Sequence, residues 1–225
     1  MPDSHNDQTN ADVSAGLIRL VQQVQRLKRV PRQGWLDRGV PPHATESVAD
    51  HSLGVALLAW MAALDAHAAG AQLDPGRVLA LALVHDLPEA EIGDWTPYSS
   101  ADVQAHDSAS TRAAFLNERQ MRSPERTAAK RAAEQAVIGR LSSELGPVAG
   151  STLADLWQEL VAGQSPEAQF VKQVDRLETL LQSRAYLAED PAYPMASFAA
   201  EATAEITDPL LAATRDRALD HPDPS

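Results

Sequence analysis

The 225-residue chain contains no cysteine, so disulfides and thiolate metal ligands are excluded outright. It is also short of positive charge: 19 Lys and Arg stand against 31 Asp and Glu, for a formal net charge of −12. Phosphate backbones and anionic lipid surfaces are bound mainly through clustered Lys and Arg. No nucleic-acid polymer and no membrane are therefore expected as partners, although a small anionic substrate in a local basic pocket remains compatible. Long apolar runs are missing too. The longest nearly apolar stretch, Leu53 to Leu64, is shorter than a bilayer span requires. The stretch "MPDSHNDQTNADVS" is polar and acidic, without the basic and apolar regions of a secretory signal, and a cytoplasmic location is expected by elimination. Neither an internal repeat nor the alternation of β-branched residues that marks a strand occurs.

What is present reads as helix. Ser47 followed by Asp50 resembles a capping box opening a helix that runs toward Gly70. Asp74-Pro75, Ser123-Pro124-Glu125 and Ser165-Pro166-Glu167 each place an N-cap before a proline at the first helical position. The last two of these helices are expected to stop at Gly146-Pro147 and Asp190-Pro191. An N-terminal helix is expected over about Val13 to Lys28, and a shorter one over about Thr152 to Ala162. Residues 97–122 read as a long loop with a weak helix. The expected fold is all-α, a single domain over residues 13–206. Residues 1–12 are expected as a disordered leader, and 207–225 as the end of a C-terminal helix with a frayed tail.

The apolar run Val78–Val84 ends in His85-Asp86. An aspartate after seven apolar residues belongs at the rim of something buried, where it needs a partner, hydrogen bonds or a metal. His85 continues the stripe of Val78, Leu81 and Ala82, and His51 that of Val55, Leu58 and Ala62. Asp175 lies four residues after Val171, at the edge of the stripe Phe170, Val174, Leu177 and Leu181. Two imidazoles and two carboxylates suit Mn²⁺, Co²⁺, Fe²⁺, Zn²⁺ or Mg²⁺. Each residue alone has an ordinary reading, since a histidine on an apolar stripe is more often a hydrogen-bonded core residue. The chain supplies its own control: His106-Asp107, in "VQAHDSAS", follows no apolar run and reads as solvated.

The segments "ESVADHS" (46–52), "LALVHDLPEAEIGD" (81–94) and "FVKQVDRLETLLQ" (170–182), with "LKRVPRQGW" (27–35), resemble the HD-domain phosphohydrolases, in their 5′-deoxynucleotidase branch, from about Val24 to Asp190. The resemblance implies a helical bundle around a divalent ion (Mn, Co, Mg, Fe or Zn) held by His51, His85, Asp86 and Asp175. It implies that Glu89 serves as general acid and that Asp94 orients the nucleophile or binds the sugar 3′-hydroxyl. The implied reaction releases orthophosphate from deoxyribonucleoside 5′-monophosphates, and the implied assembly is a homodimer. In the resembling enzymes a tryptophan at the place of Trp35 crowds the 2′ position of the sugar. Bacterial members carry an arginine just before it, where this chain has Gly34, so phosphate binding is assigned to Arg29, Arg32 or a neighbour. Arg19, Arg26, Lys28, Arg29, Arg32 and Arg38, opposed within that segment only by Asp37, form a plausible electrostatic funnel. Lys130 and Glu134 read as a solvated i,i+4 pair worth a few tenths of a kcal/mol. Two other functions compete: the same metal centre acting on another phosphorylated metabolite or nucleotide, and a metal-binding or scaffolding domain without turnover. The presence of Glu89 beside all four candidate ligands argues against the last.

Overall fold

The computed structural model describes residues 4–220. Among them lie twelve helices: α1 (Ser4–Leu27), α2 (Gln33–Asp37), α3 (Val48–Ala68), α4 (Pro75–Val84), α5 (Glu89–Ile92), α6 (Ser100–Gln104), α7 (Ala109–Asn117), α8 (Pro124–Glu144), α9 (Pro147–Ala162), α10 (Pro166–Glu189), α11 (Ala196–Glu205) and α12 (Pro209–Asp220). Extended pairing among the described residues is limited to one antiparallel bridge between Pro31 and Ser47.

Local chemistry sets the helix starts. Ser47 Oγ accepts the Asp50 N–H at 3.2 Å while Asp50 accepts the Ser47 N–H at 2.9 Å, the reciprocal pair that opens α3. Asp74 accepts the N–H groups of Gly76 and Arg77 at 2.8 and 3.2 Å, ahead of Pro75. Ser123 and Ser165 cap α8 and α10 in the same way. Three boundaries differ from expectation. α1 begins at Ser4 rather than near Val13, so helix covers most of the stretch expected as a disordered leader; residues 1–3 lie outside the described residues, as do 221–225 of the expected tail. α9 begins at Pro147 rather than Thr152, because the proline that cannot continue α8 is well suited to the first position of the next helix. Residues 97–122 hold two short helices rather than one weak helix in a long loop, each opened by a capping box, Ser99 with Asp102 and Ser108 with Thr111.

The core forms where α3, α4 and α10 meet. Val55, Ala59, Ala63, Val78, Leu81, Val174, Leu177 and Leu180 are fully buried there. The alanines on α3 let its backbone approach α4, and the larger side chains fill the space toward α10. Burying a Val or Leu contributes about 1.5–3 kcal/mol, enough in sum to fix these three helices against one another. A second cluster joins α8 and α9 under Leu87, and a third packs Trp35 with Val40, Tyr186 and Met195. By length and composition α3 could cross a membrane, so chain length does not exclude a span there. Its first turn nevertheless carries a fully buried histidine, and its core face packs on α4 and α10.

Candidate active site

The same three helices bring four chemistry-bearing residues together. His51 sits in the first turn of α3, His85 at the C-cap of α4 with Asp86 next to it, and Asp175 midway along α10. His51 Nε2 lies 3.1 Å from an Asp175 oxygen and 3.7 Å from Asp86, and His85 Nε2 lies 3.2 Å from Asp86. The ligand atoms of His51, His85 and Asp175 all fall within 4.8 Å of one another. Each ring is held by its other nitrogen. His51 Nδ1 is 2.5 Å from a Glu178 carboxylate oxygen, and His85 Nδ1 donates to the Ala82 carbonyl at 2.7 Å. Both Nε2 atoms are buried without a hydrogen-bond partner, a situation that costs about 1–3 kcal/mol per group. Anchoring Nδ1 turns Nε2 toward the cluster, where a divalent cation would take the place of a proton, the arrangement of a metal-ligating imidazole. The donor set of two imidazole nitrogens and two carboxylates therefore fits a divalent cation.

Electrostatics agree. Burial and Arg32 oppose a charge on His51, yet the Asp175 and Glu178 carboxylates beside it push its pKa up to about 10. Against the cost of burial, His85, His51 and Arg32 hold Asp86 well below the usual carboxylate range, and Arg176 and His51 do the same for Asp175. Two anionic carboxylates are thus kept ready at a place that favours positive charge.

Glu89, the first residue of α5, is 2% exposed. Lys130 Nζ donates to its Oε1 at 2.8 Å, while Oε2 is buried without a partner. Burial and the neighbouring Asp86 push Glu89 up to about 8, although Lys130 opposes the rise. Ionisation of its carboxyl is thus opposed beside the candidate metal ligands. Lys130 also lies 3.2 Å from Glu134, so the pair expected to be solvated belongs to the half-buried wall of this site and reaches Glu89 from across it.

A family model described as HD domain matches residues 24–210. The chain belongs to the HD-domain family. It is 31% identical over 172 residues to 5′-deoxynucleotidase HDDC2 of Mus musculus, covering 76% of this chain and 70% of the mouse protein. It is 30% identical to 5′-deoxynucleotidase HDDC2 of Homo sapiens over 76% of this chain and 68% of that one. Among solved structures, a protein of Pyrococcus horikoshii OT3 superposes with a TM-score of 0.58 at 28% identity, over 90% of this chain and 96% of its own. A Magnetospirillum magnetotacticum MS-1 protein shares the fold with a TM-score of 0.61 at 23% identity, over 94% and 93% of the two chains.

In this HD domain Asp86 and Asp175 line a cleft of about 230 Å³ together with Arg32, Trp35, Glu89 and Asp94. Asp94 follows Gly93, whose φ of 76° suits a residue without a side chain. Its carboxylate accepts the Gln33 N–H at 2.7 Å. Arg32 lies 3.5 Å from Asp86 and 3.9 Å from Asp94, with Thr179 accepting from it at 3.4 Å. Backbone bonds flanking the Pro31–Ser47 bridge, Arg32 N–H to Glu46 O at 3.0 Å and Val48 N–H to Val30 O at 2.8 Å, turn Arg32 inward. Arg29 is exposed and does not line the cleft. Trp35 is wedged between Tyr186 and Phe198, with ring centroids 5.3 and 4.6 Å away, and its indole N–H donates to Glu46 at 2.7 Å. His106-Asp107 stays apart, His106 stacked on Phe115 and Asp107 exposed.

Glu178 escapes sequence reasoning. Its signal is its spacing: three residues after Asp175, it shares that residue's helix face. Gly54 makes room for it, since a Cβ there would lie 2.8 Å from Glu178 Oε1.

Proposed function

We propose that this cleft hydrolyses deoxyribonucleoside 5′-monophosphates and releases orthophosphate, with Mn, Co, Mg, Fe or Zn as the divalent ion. The observation that carries the reading is the convergence of two partnerless imidazole nitrogens and two carboxylates beside a buried carboxyl whose ionisation burial and Asp86 oppose. Relatives named 5′-deoxynucleotidase supply the substrate class. When bound, the metal supplies Lewis acidity, making water nucleophilic at neutral pH and drawing charge from the phosphoryl group.

The chain's own residues do the rest. His51, His85, Asp86 and Asp175 hold the ion, with Glu178 and the Ala82 carbonyl fixing the imidazoles. Glu89 gives its proton to the leaving 5′-oxygen. Asp94, steadied by the Gln33 N–H, orients the nucleophile or takes the sugar 3′-hydroxyl. Of the two arginines expected to bind substrate, Arg32 is the one that faces the cleft. Orthophosphate release from a panel of phosphate esters, with Mn²⁺, Co²⁺ and Mg²⁺ supplied in turn, tests the reading; activity confined to esters other than nucleoside monophosphates overturns it.

Trp35 sets the sugar preference. Its ring is held on two sides by aromatic neighbours and at its N–H by Glu46, so it stands as a rigid wall that a 2′-hydroxyl would meet. Hydrolysis of dAMP is expected to outpace that of AMP, and Trp35→Ala to narrow the ratio. Equal wild-type rates on the two substrates would remove the deoxy-specific part of the proposal.

The proposal extends to a homodimer in the cytoplasm, the compartment that goes with such a substrate. Leu17, Ile18, Val21 and Val24 on α1 and Leu53, Leu57, Trp60, Met61 and Leu64 on α3 are exposed in helical register. The two helices touch, and exposed apolar side chains grouped along a helix mark interaction surfaces when they form a contiguous patch. A two-fold pairing of copies would cover the surface with itself. Leu57→Glu should convert a dimer into a monomer in sedimentation, whereas a monomeric wild type at micromolar concentration would contradict the assembly.

A further inference from the structure

We infer that Arg122, which lines the same cleft as Asp86, Glu89 and Asp175, takes the phosphate of the substrate. The inference rests on the phosphomonoester reading above and adds a recognition residue to it. Six basic side chains line the cleft: Arg32, Arg38, Arg119, Arg122, Lys130 and Arg176. Four are already matched by carboxylates: Arg32 by Asp86 and Asp94, Arg119 by Glu205, Lys130 by Glu89 and Glu134, and Arg176 by Asp175, Glu201 and Glu205.

Arg38 has no carboxylate partner, but every donor it owns is in use. Its Nε donates to the Pro194 carbonyl at 3.0 Å, and Nη1 to the Gly34 carbonyl and the Tyr98 hydroxyl, both at 3.0 Å. Its Nη2 donates to the Leu116 carbonyl at 3.0 Å and to Ser197 Oγ at 2.8 Å. It is a clamp, with no N–H left for a ligand.

Arg122 differs from all of these. It pairs with no carboxylate among the described residues. One nitrogen, Nη2, donates to the Trp95 carbonyl at 2.6 Å, which fixes the side chain, while Nε is buried and has no partner. Next to it Arg126 lies over the Trp95 ring at 5.0 Å and donates to the Thr96 carbonyl at 3.2 Å. Burial and the adjacent Arg126 both lower the Arg122 pKa, the mark of a cation short of negative charge. A guanidinium held in this way presents a planar fork that matches phosphate oxygens. The only anionic group on a deoxyribonucleoside 5′-monophosphate is its phosphate. Arg122 lies far outside the basic segment between Arg19 and Arg38, and two short helices, α6 and α7, precede it.

The test uses the full-length, metal-loaded protein and the variants Arg122→Gln and Arg122→Lys. In Arg122→Gln the KM for dAMP and the inhibition constant of inorganic phosphate are expected to rise together, by about tenfold to a hundredfold. kcat/KM should fall at least as far, because the phosphate is also the reacting group, while metal content and melting temperature should be unchanged. Arg122→Lys should recover part of the loss, because it restores charge without the fork. KM and phosphate inhibition within twofold of wild type would overturn the assignment. Should Arg122→Gln fail to fold, Arg122→Lys decides alone, a wild-type KM and inhibition constant counting against the role. Should the wild type hydrolyse no phosphomonoester, the hydrolase reading falls by itself. Calorimetric titration with inorganic phosphate then judges Arg122: binding lost only in the variant keeps the role, and equal or absent binding removes it.

Discussion

Replacing His85 with alanine is expected to leave a folded protein that carries no stoichiometric metal and releases orthophosphate only at background rate. The expectation follows from the lack of redundancy in the site. His85 contributes one of two buried imidazole nitrogens without a hydrogen-bond partner, and among the described residues the remaining donors near it are His51, Asp86 and Asp175. Asp86→Ala should do the same, since Asp86 faces both imidazoles and Arg32 at once. Glu178→Ala supplies a graded contrast. Glu178 would act on the ion through His51, whose Nδ1 it holds, and loss of such a supporting contact typically weakens metal affinity about 10- to 100-fold rather than abolishing it. Elemental analysis after dialysis, combined with an orthophosphate assay, distinguishes these outcomes. Stoichiometric metal and full activity in both His85→Ala and Asp86→Ala would sink the site.

Glu89→Gln is expected to keep the metal and to lose about 10²- to 10⁴-fold in turnover, because an amide fills the same space and cannot give up a proton. Turnover within about twofold of wild type would make Glu89 a buried wall residue. The substitution should also change how stability depends on pH. Burial raises the Glu89 pKa from 4.5 to about 8 in the folded chain. Between those values the folded protein therefore binds a proton that the unfolded chain has released. Stability from this source is fully present below pH 4.5 and declines as pH rises toward 8, because the unfolded state binds fewer protons in that window. Melting temperatures of chelator-treated protein from pH 6 to 9 should fall for the wild type and fall less for Glu89→Gln. Parallel curves would show that Glu89 ionises normally.

The four helices opened by Ser47, Asp74, Ser123 and Ser165 are legible in the sequence because capping is local: donor and acceptor lie two or three residues apart. The three helix-borne stripes are legible because His51, His85 and Asp175 occupy positions that apolar neighbours mark as inward. Other features depend on separation in the chain. Glu178 looks like any acid on a helix until His51, 127 positions away, is brought to it. Lys130 looks solvated until Glu89, 41 positions back, is placed opposite. Arg29 and Arg32 are indistinguishable as letters, and what separates them is the backbone pairing of Pro31 with Ser47, which local propensity does not encode. The helices α6 and α7 are short, with few buried residues, so no long apolar period announces them.

The origin of the four candidate ligands orders how the site assembles. His51, His85 and Asp86 come from α3, α4 and the turn after it, neighbours in sequence that share one packed interface. Asp175 arrives on α10, far downstream, only once that helix has closed the core. Three donors can therefore gather in an early unit built from local contacts, while the fourth waits on a long loop closure. A cation bound by all four would act as a latch on the last step, its fourth donor adding binding free energy to the docking of α10. In the metal-loaded protein α10 should be the element whose local opening is suppressed most, even though of the four candidate ligands it carries only Asp175.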